Sequence, residues 1–581
     1  MMIWRAFPWV VLFVLALPAQ AQNPFNLPPR PNGPFEIRGV VLDARTDQAL
    51  PEVEVTIQES VQPSSEVFEV VESSSNGGFR FANLAEGKYT IRASRQGYAP
   101  QAYLQHENFW TGIAVGPGKD SVHLRFPLHP SATITGQVTD EFGEGVRGAE
   151  ILLWKEELEN GVHNITQAES SQTDDEGKYR LEHLPGGKYS VSVTAMPWFS
   201  RYAGSQGVTT WFDGKNQRGK MQVSLMTGTG AATHFTESPP SADGLLDVVY
   251  PTLYYPNSRD WHGMGWMNLL AGQTESADFH LQTEPSVHIQ FQSQPQDAEG
   301  GQSRNVSLLQ ELPGGGQSTI SPFTVETESG LTEISGIAAG RYYIQEGVRV
   351  DSDSGVGQEM DLQGTVQLGP GESSAYGPAI QCEVRGVEGE QKLEFATAEL
   401  KDAQGHAHTI VVYPRTDEEG HPAAGSKFFN LPTGPQAYEL SLSQPPGLVV
   451  KKIEAKGAKV TGTTIETDGA QEVSLVVTVA QVASNMTGVA QKNGKPFAAA
   501  MILLMPADHK DWERLVRRDQ SDSDGTFRLP SIVPGKYELL ALEKGWEMEW
   551  SKPEMLQPFL AKAQNLEIGE RQEESVTVEV Q

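Results

Sequence analysis

The sequence predicts an all-β protein, a tandem array of five Greek-key β-sandwich domains set end to end as a rod. Three observations carry that expectation. Apolar and polar residues alternate with period two along most of the chain, as in "EIRGVVLD" and "EVEVTIQES". Gly, Pro, Asn and Asp interrupt the alternation every 8–12 residues, the spacing of short strands joined by turns. Finally, one phrase recurs. "TDDEGKYRLEHLPGGKYSV" at 173–191 is echoed by "SNGGFRFANLAEGKYTI" at 75–91 and "SDSDGTFRLPSIVPGKYEL" at 521–539.

The phrase has a fixed frame: a Gly, an aromatic at +2, Phe or Leu at +4, Leu or Ile at +7, Gly at +10 and Tyr at +12. Gly77, Phe79 and Tyr89 fill the key positions once, Gly177, Tyr179 and Tyr189 a second time, and Gly525, Phe527 and Tyr537 a third. Gly330, Ile334, Ile337, Gly340 and Tyr342 keep the frame with Thr332 at the aromatic position. Tyr179 and Leu181 fall on one face of a strand, and Tyr189, Val191 and Val193 return along the same face. Gly177 and Gly187 are expected to supply positive φ at two turns. The phrase therefore reads as a core signature, worth about 1.5–3 kcal/mol per large side chain buried.

Each phrase has a front half. Gly39 in "IRGVVLD", Gly136 in "ITGQVTD" and Gly488 in "MTGVAQK" stand 38, 41 and 37 residues before the first Gly of their phrases. This gives sandwiches at 37–130, 131–285, 286–378, 379–482 and 483–581. The fourth is divergent, keeping "FFNLPTG" with Leu431 and Gly434 in frame and Tyr438 displaced. Only "HKDWERLVRR" at 509–518 suggests a helix. Residues 1–21 read as a secretory signal peptide, with Arg5 before an apolar run and Ala19 and Ala21 at the cleavage positions; 22–36 is a linker. After cleavage no apolar stretch is long enough for an integral membrane segment. The expected location is exported: periplasmic, cell-surface or extracellular.

Front half and phrase together, Gly-x-Val, a turn, then D-x-x-G-x-[FY]-x-[FL]-x-x-L-x-x-G-x-Y, resemble the carboxypeptidase regulatory-like domain. That resemblance implies a transthyretin-like or carbohydrate-binding-like fold. It is close in sandwiches one, two and five, partial in three and weak in four. "YPTLYYPNSRD" at 250–260 and "LLAGQTESADFHLQ" after it resemble a segment of exported bacterial proteins with several such domains. The family name belongs to a sandwich that accompanies a zinc peptidase, not to the peptidase.

Chemistry is sparse. The formal charge of −30 argues against nucleic acid as a partner. Cys382, the single cysteine, has no intramolecular partner. No H-E-x-x-H zinc motif occurs, and no nucleophile elbow or phosphate loop stands in a plausible context. His406, His408 and His421 form a weak metal candidate across a hairpin, weighed against a plain hairpin edge. "SDSDG" (521–525), "TDDEG" (173–177) and "DSDSG" (351–355) carry carboxylates that could bind calcium, but they lack the full ligand run and suit tight turns equally well. No other cofactor is expected.

Aromatics are uneven. Trp198, Trp211, Trp261 and Trp266 fall within 69 residues, together with Phe199, Tyr202, Phe212, Tyr250, Tyr254 and Tyr255. The stretch 196–270 reads as an insertion in the second sandwich. Trp198, Trp211, Tyr254, Tyr255, Trp261 and Trp266 are its candidate ligand residues, with Asp213, Asn257, Arg259 and Asp260 as polar neighbours suited to sugar hydroxyls. A private core for the insertion is the competing reading. The leading function is a non-catalytic exported protein that binds a polysaccharide or envelope component. The alternatives are a structural or adhesive protein with protein partners and, behind it, an accessory to a peptidase.

Overall fold

The computed structural model describes residues 32–581 apart from 61–65, 120–122, 204–210, 213–245, 293–303, 321, 327–330, 349–357, 369–378, 387–394, 403–406, 413–425, 429–433, 446 and 510–511. The signal peptide and most of the linker lie outside the described residues, as does the "DSDSG" turn. Among the described residues the regular structure is almost entirely strand, arranged as five pairs of facing sheets and one two-stranded ribbon. Each pair closes over its own apolar cluster. No described helix is long and apolar enough to cross a membrane.

One pairing rule recurs. The opening strand of each sandwich lies between an antiparallel partner and a parallel partner that arrives last. Phe35–Asp43 pairs with Gly78–Leu84 and His123–Leu128. Ser484–Lys492 does the same with Thr526–Ile532 and Glu573–Glu579. The register explains the front half of the repeat. Gly39, Gly136 and Gly488 stand directly opposite Phe79, Tyr179 and Phe527. A Cβ on Gly39 would lie 2.5 Å from the Phe79 ring, and one on Gly136 2.6 Å from Tyr179. Both are closer than any side chain tolerates, so each glycine is a seat for the aromatic across from it.

The two glycines of the phrase have different roles. Gly77, Gly177 and Gly525 take positive φ, as expected. Gly187 does not; at that turn the left-handed residue is His183, matched by Asn83 and Ser531 in the other copies. Gly187 instead lies under the Tyr189 ring, which would stand 3.1 Å from an added Cβ. The tyrosine itself closes a corner: Tyr189 donates its hydroxyl to the Pro185 carbonyl at 2.9 Å, and Tyr89, Tyr342 and Tyr537 each reach the carbonyl four residues back. The displaced Tyr438 is just as buried, but its hydroxyl has no partner among the described residues.

After the tyrosine strand the chain makes an edge segment that rejoins the same strand. In the first sandwich Gln101–Ala102 and Ile113–Val115 pair back onto Gly87–Ser94. In the second, Leu253–Tyr254 and Met267–Leu269 pair in the same way onto Gly187–Thr194. Thus the back of the 196–270 stretch is sheet of the second sandwich, and Tyr250, Leu253, Met267 and Leu269 belong to its core. The helix expected at 509–518 is one turn, Trp512–Leu515; a second, Pro553–Leu560, occupies the edge segment of the fifth sandwich.

The array is not the open rod expected, because the fifth sandwich returns to the first two. Arg518 forms a two-pronged pair with Glu107 (2.8 and 3.0 Å) and bonds Asn160 at the tip of the Glu150–Glu159/Val162–Gln172 hairpin. Its guanidinium lies over Phe109, Trp546 and Trp550 at 5.1–5.8 Å. Gln520 reaches Thr111 and the Leu104 carbonyl. The "SDSDG" turn completes the contact: Asp522 accepts from the Gly112 N–H and pairs with Lys88, and Asp524 pairs with Lys119. Such contacts bridge 358 to 434 residues of sequence, which no local pattern reports.

Candidate functional site

A cavity of about 590 Å³ opens between the second and third sandwiches. One wall is the outer face of the second sandwich's sheet. In "EILLW" at 150–154, Ile151 and Leu153 enter the core, while Leu152 and Trp154 point the opposite way and line the cleft. Trp154 is held by its indole N–H, which donates to Ser192 at 2.9 Å. The edge segment adds Tyr254 and Trp261. The facing wall comes from the third sandwich, with Gln310, Glu311, Arg341 and Tyr343.

A polar knot fixes the third sandwich over the second. His288 bonds Asp247 through Nε2 (2.8 Å) and Glu333 through Nδ1 (3.0 Å). On the second-sandwich side Tyr202 donates to the same Asp247 at 2.5 Å, and on the third-sandwich side the Gly336 N–H donates to Ser286 at 2.8 Å. Strand Trp211–Phe212 also crosses over, pairing with Gln317–Ile320 of the third sandwich.

Several polar groups of the cleft make no side-chain hydrogen bond or ion pair with any described residue. The Trp261 indole nitrogen is buried without a partner. Glu150 and Glu311, from opposite walls, carry carboxyl groups that are likewise unengaged. Burial pushes the Glu150 carboxyl above the usual carboxylate range. Burial also pushes the Tyr254 phenol up, with the charges of Asp260 and Glu311 adding to the effect, so it stays a donor at any ordinary pH. Trp154 and Tyr254 are each 2 % exposed and back the cleft, so the partly exposed rings of Trp261 and Tyr343 are the faces that can hold a hydroxyl-rich ring beside these donors and acceptors.

The sequence-derived candidates divide. Tyr254 and Trp261 line the cleft. Tyr255 packs on the second core, edge-on to Phe279, and so serves the fold. Trp266 lies beneath the Lys188 ammonium at 5.1 Å and does not line the cleft. Trp198 is 80 % exposed and touches Phe199. The side chain of Trp211 lies outside the described residues, as does Asp213. Asp260 caps the short turn Trp261–Gly263, and Arg259 pairs with Glu284 at 2.5 Å. Glu150, Trp154 and Glu311 were not singled out from sequence. The unbroken run "ILLW" was the available signal, since burial on both faces removes alternation.

The metal candidates are not assembled among the described residues. His406 and His421 lie outside them, and His408 is edge-on to Tyr438. No described group of three or more His, Cys, Asp or Glu is placed to hold a metal ion. One H-x-x-E pair that the sequence reading passed over, His234 and Glu237, also lies outside the described residues. The turn carboxylates considered for calcium are engaged: Asp174 accepts from the Glu176 and Lys178 N–H groups, and Asp522 and Asp524 hold the first sandwich.

Comparison with known proteins agrees with this architecture. Residues 36–129 and 133–209 match the carboxypeptidase regulatory-like domain family model. No curated protein matches the chain. Similar solved structures include the Bacillus anthracis TIE protein, at 12 % identity over 94 % of this chain and 74 % of that one, TM-score 0.15. The shaft pilin SpaA of Lactobacillus rhamnosus GG is 13 % identical over 43 % of this chain and 96 % of its own, TM-score 0.18. The minor pilin GBS52 of Streptococcus agalactiae is 11 % identical over 43 % and 97 %, TM-score 0.19. No functional conclusion follows from superpositions at that level. In its first two sandwiches, then, the chain is similar to the carboxypeptidase regulatory-like domain.

Proposed function

We propose that the protein is a non-catalytic, exported binding protein and that the cleft between its second and third sandwiches takes carbohydrate. The supporting observation is the pairing of aromatic faces with unengaged polar groups in one cavity of about 590 Å³. An aromatic ring covers the C–H face of a sugar, while carboxyl, amide and indole N–H groups take its hydroxyls. The −30 charge and the signal-like N-terminus accord with a soluble protein working outside the cytoplasm.

The test is calorimetric titration of the full chain with soluble glycans, beside Trp261→Ala. Loss of one stacking ring should weaken binding about ten- to a hundredfold. The melting temperature should hold, because Trp261 is only half-buried and lies outside every core cluster. Unchanged glycan affinity in a folded Trp261→Ala protein would move the site elsewhere.

A further inference from the structure

Resting on the carbohydrate reading, we propose that the cleft selects neutral or amine-bearing sugars and rejects polyanionic ones such as uronates. The selecting residues are Glu150 and Glu311. They stand on opposite walls, one from each sandwich, and neither has a side-chain partner among the described residues. An ionised carboxylate only accepts hydrogen bonds, so each asks the ligand for a hydroxyl or an ammonium. A uronate carboxylate brought between them would meet two like charges inside a partly desolvated cleft.

The cations nearby do not reverse this. Arg259 is committed to Glu284, and Arg341 shares the lining with Asp260 and Asp361 as well as the two glutamates, so carboxylates outnumber guanidiniums there. The Trp261 N–H and the Tyr254 hydroxyl supply donors without charge, which suit ring and glycosidic oxygens. A second, independent observation points the same way. The chain as a whole carries a formal −30, which lowers the local concentration of any polyanion before contact.

The experiment titrates the full chain with three oligomers of similar length: chitosan, a neutral glucan and alginate. Each is run at low and high salt. Chitosan or glucan should bind at least tenfold more tightly than alginate at both salt concentrations. Glu150→Gln and Glu311→Gln should each reduce that preference several-fold with no drop in melting temperature. Asp175→Asn with Glu176→Gln, two exposed charges on a turn of the same sandwich, should leave it unchanged, which separates local selection from bulk charge. Alginate binding as tightly as the others, or selectivity indifferent to Glu150 and Glu311, would overturn the inference while leaving carbohydrate binding intact. Absence of binding to all three oligomers would overturn both.

Discussion

The edge segments of the first and second sandwiches occupy the same place in the repeat and meet different fates. In the first, residues 103–112 are covered by the fifth sandwich, with Glu107 paired, Thr111 fully buried and the Gly112 N–H taken by Asp522. In the second, residues 259–262 border an open cleft, where the Trp261 indole N–H has no partner among the described residues. The strands beneath them pair alike, Tyr89 with Ile113 and Tyr189 with Met267. One architectural position thus serves as a docking edge in one unit and as the wall of an open cleft in the next. The difference comes from what the chain brings up against each edge.

Arg518 offers the strongest way to break the covered edge. It is 6 % exposed and paired with Glu107, itself 12 % exposed, between three aromatic rings. Arg518→Ala leaves the Glu107 charge without its partner and should cost about 3–5 kcal/mol. With the contact intact, the first and fifth sandwiches should unfold in one calorimetric transition; in Arg518→Ala they should separate. Two transitions already present in the wild-type chain would show that the covered edge contributes little coupling.

The covered edge should also respond to pH, through Asp519. Burial pushes its carboxyl up to about 7, although the Gln520 and Arg528 N–H groups both donate to it. A carboxyl raised in the folded state holds its proton there after the unfolded chain has lost it. Its contribution is therefore complete below about pH 4 and is lost as pH rises through about 7. The fifth sandwich should lose on the order of 2 kcal/mol between pH 4.5 and 8, and Asp519→Asn should flatten that slope. Stability that rises over this range in the wild type and not in the variant would reverse the assignment.

A smaller effect separates repeat from divergence. Tyr189→Phe removes the hydroxyl that reaches Pro185 and should cost about 0.5–1.5 kcal/mol. Tyr438→Phe in the fourth sandwich should cost nothing or stabilise slightly, since that buried hydroxyl has no described partner to lose. Chemical denaturation of the two variants measures the difference directly. Equal losses would mean that the Tyr438 hydroxyl is satisfied in solution.

Much of this architecture could be read from residues. The Gly39–Phe79, Gly136–Tyr179 and Gly488–Phe527 pairs follow from a repeat visible in one line of text, and their tyrosines returned to the core as expected. The edge segments were hidden. Leu253–Tyr254 and Met267–Leu269 are too short for a periodic signal, and 58 residues separate Thr194 from Leu253, against six between Ser94 and Gln101. The stretch therefore read as an insertion throughout. Turn chemistry was equally ambiguous. "TDDEG" and "SDSDG" are the same turn by sequence; Asp174 caps its own backbone whereas Asp522 grips Lys88 across the molecule. Contacts of that range depend on how five sandwiches are stacked, which no strand-length pattern encodes.

The smallest expected change tests the open edge, and its sign differs from the rest. Glu107 and Glu150 are both partly buried glutamates near a sandwich edge. Both oxygens of Glu107 accept from the one Arg518 guanidinium, while Glu150 has no described partner and its carboxyl is raised by burial alone. Neutralising Glu107 removes a charge-assisted pair and should destabilise. Neutralising Glu150 removes a desolvated charge with nothing to balance it, so Glu150→Gln should be neutral or raise stability by up to about 1 kcal/mol near pH 7. The gain should shrink as pH falls toward the carboxyl's own titration, where the wild-type side chain becomes neutral too. Residues held for binding at the expense of stability behave in this way. Thermal melts of Glu150→Gln at pH 5 and 7.5 measure it, and a clear loss of stability at pH 7.5 would show that Glu150 supports the fold and is not held in reserve for a ligand.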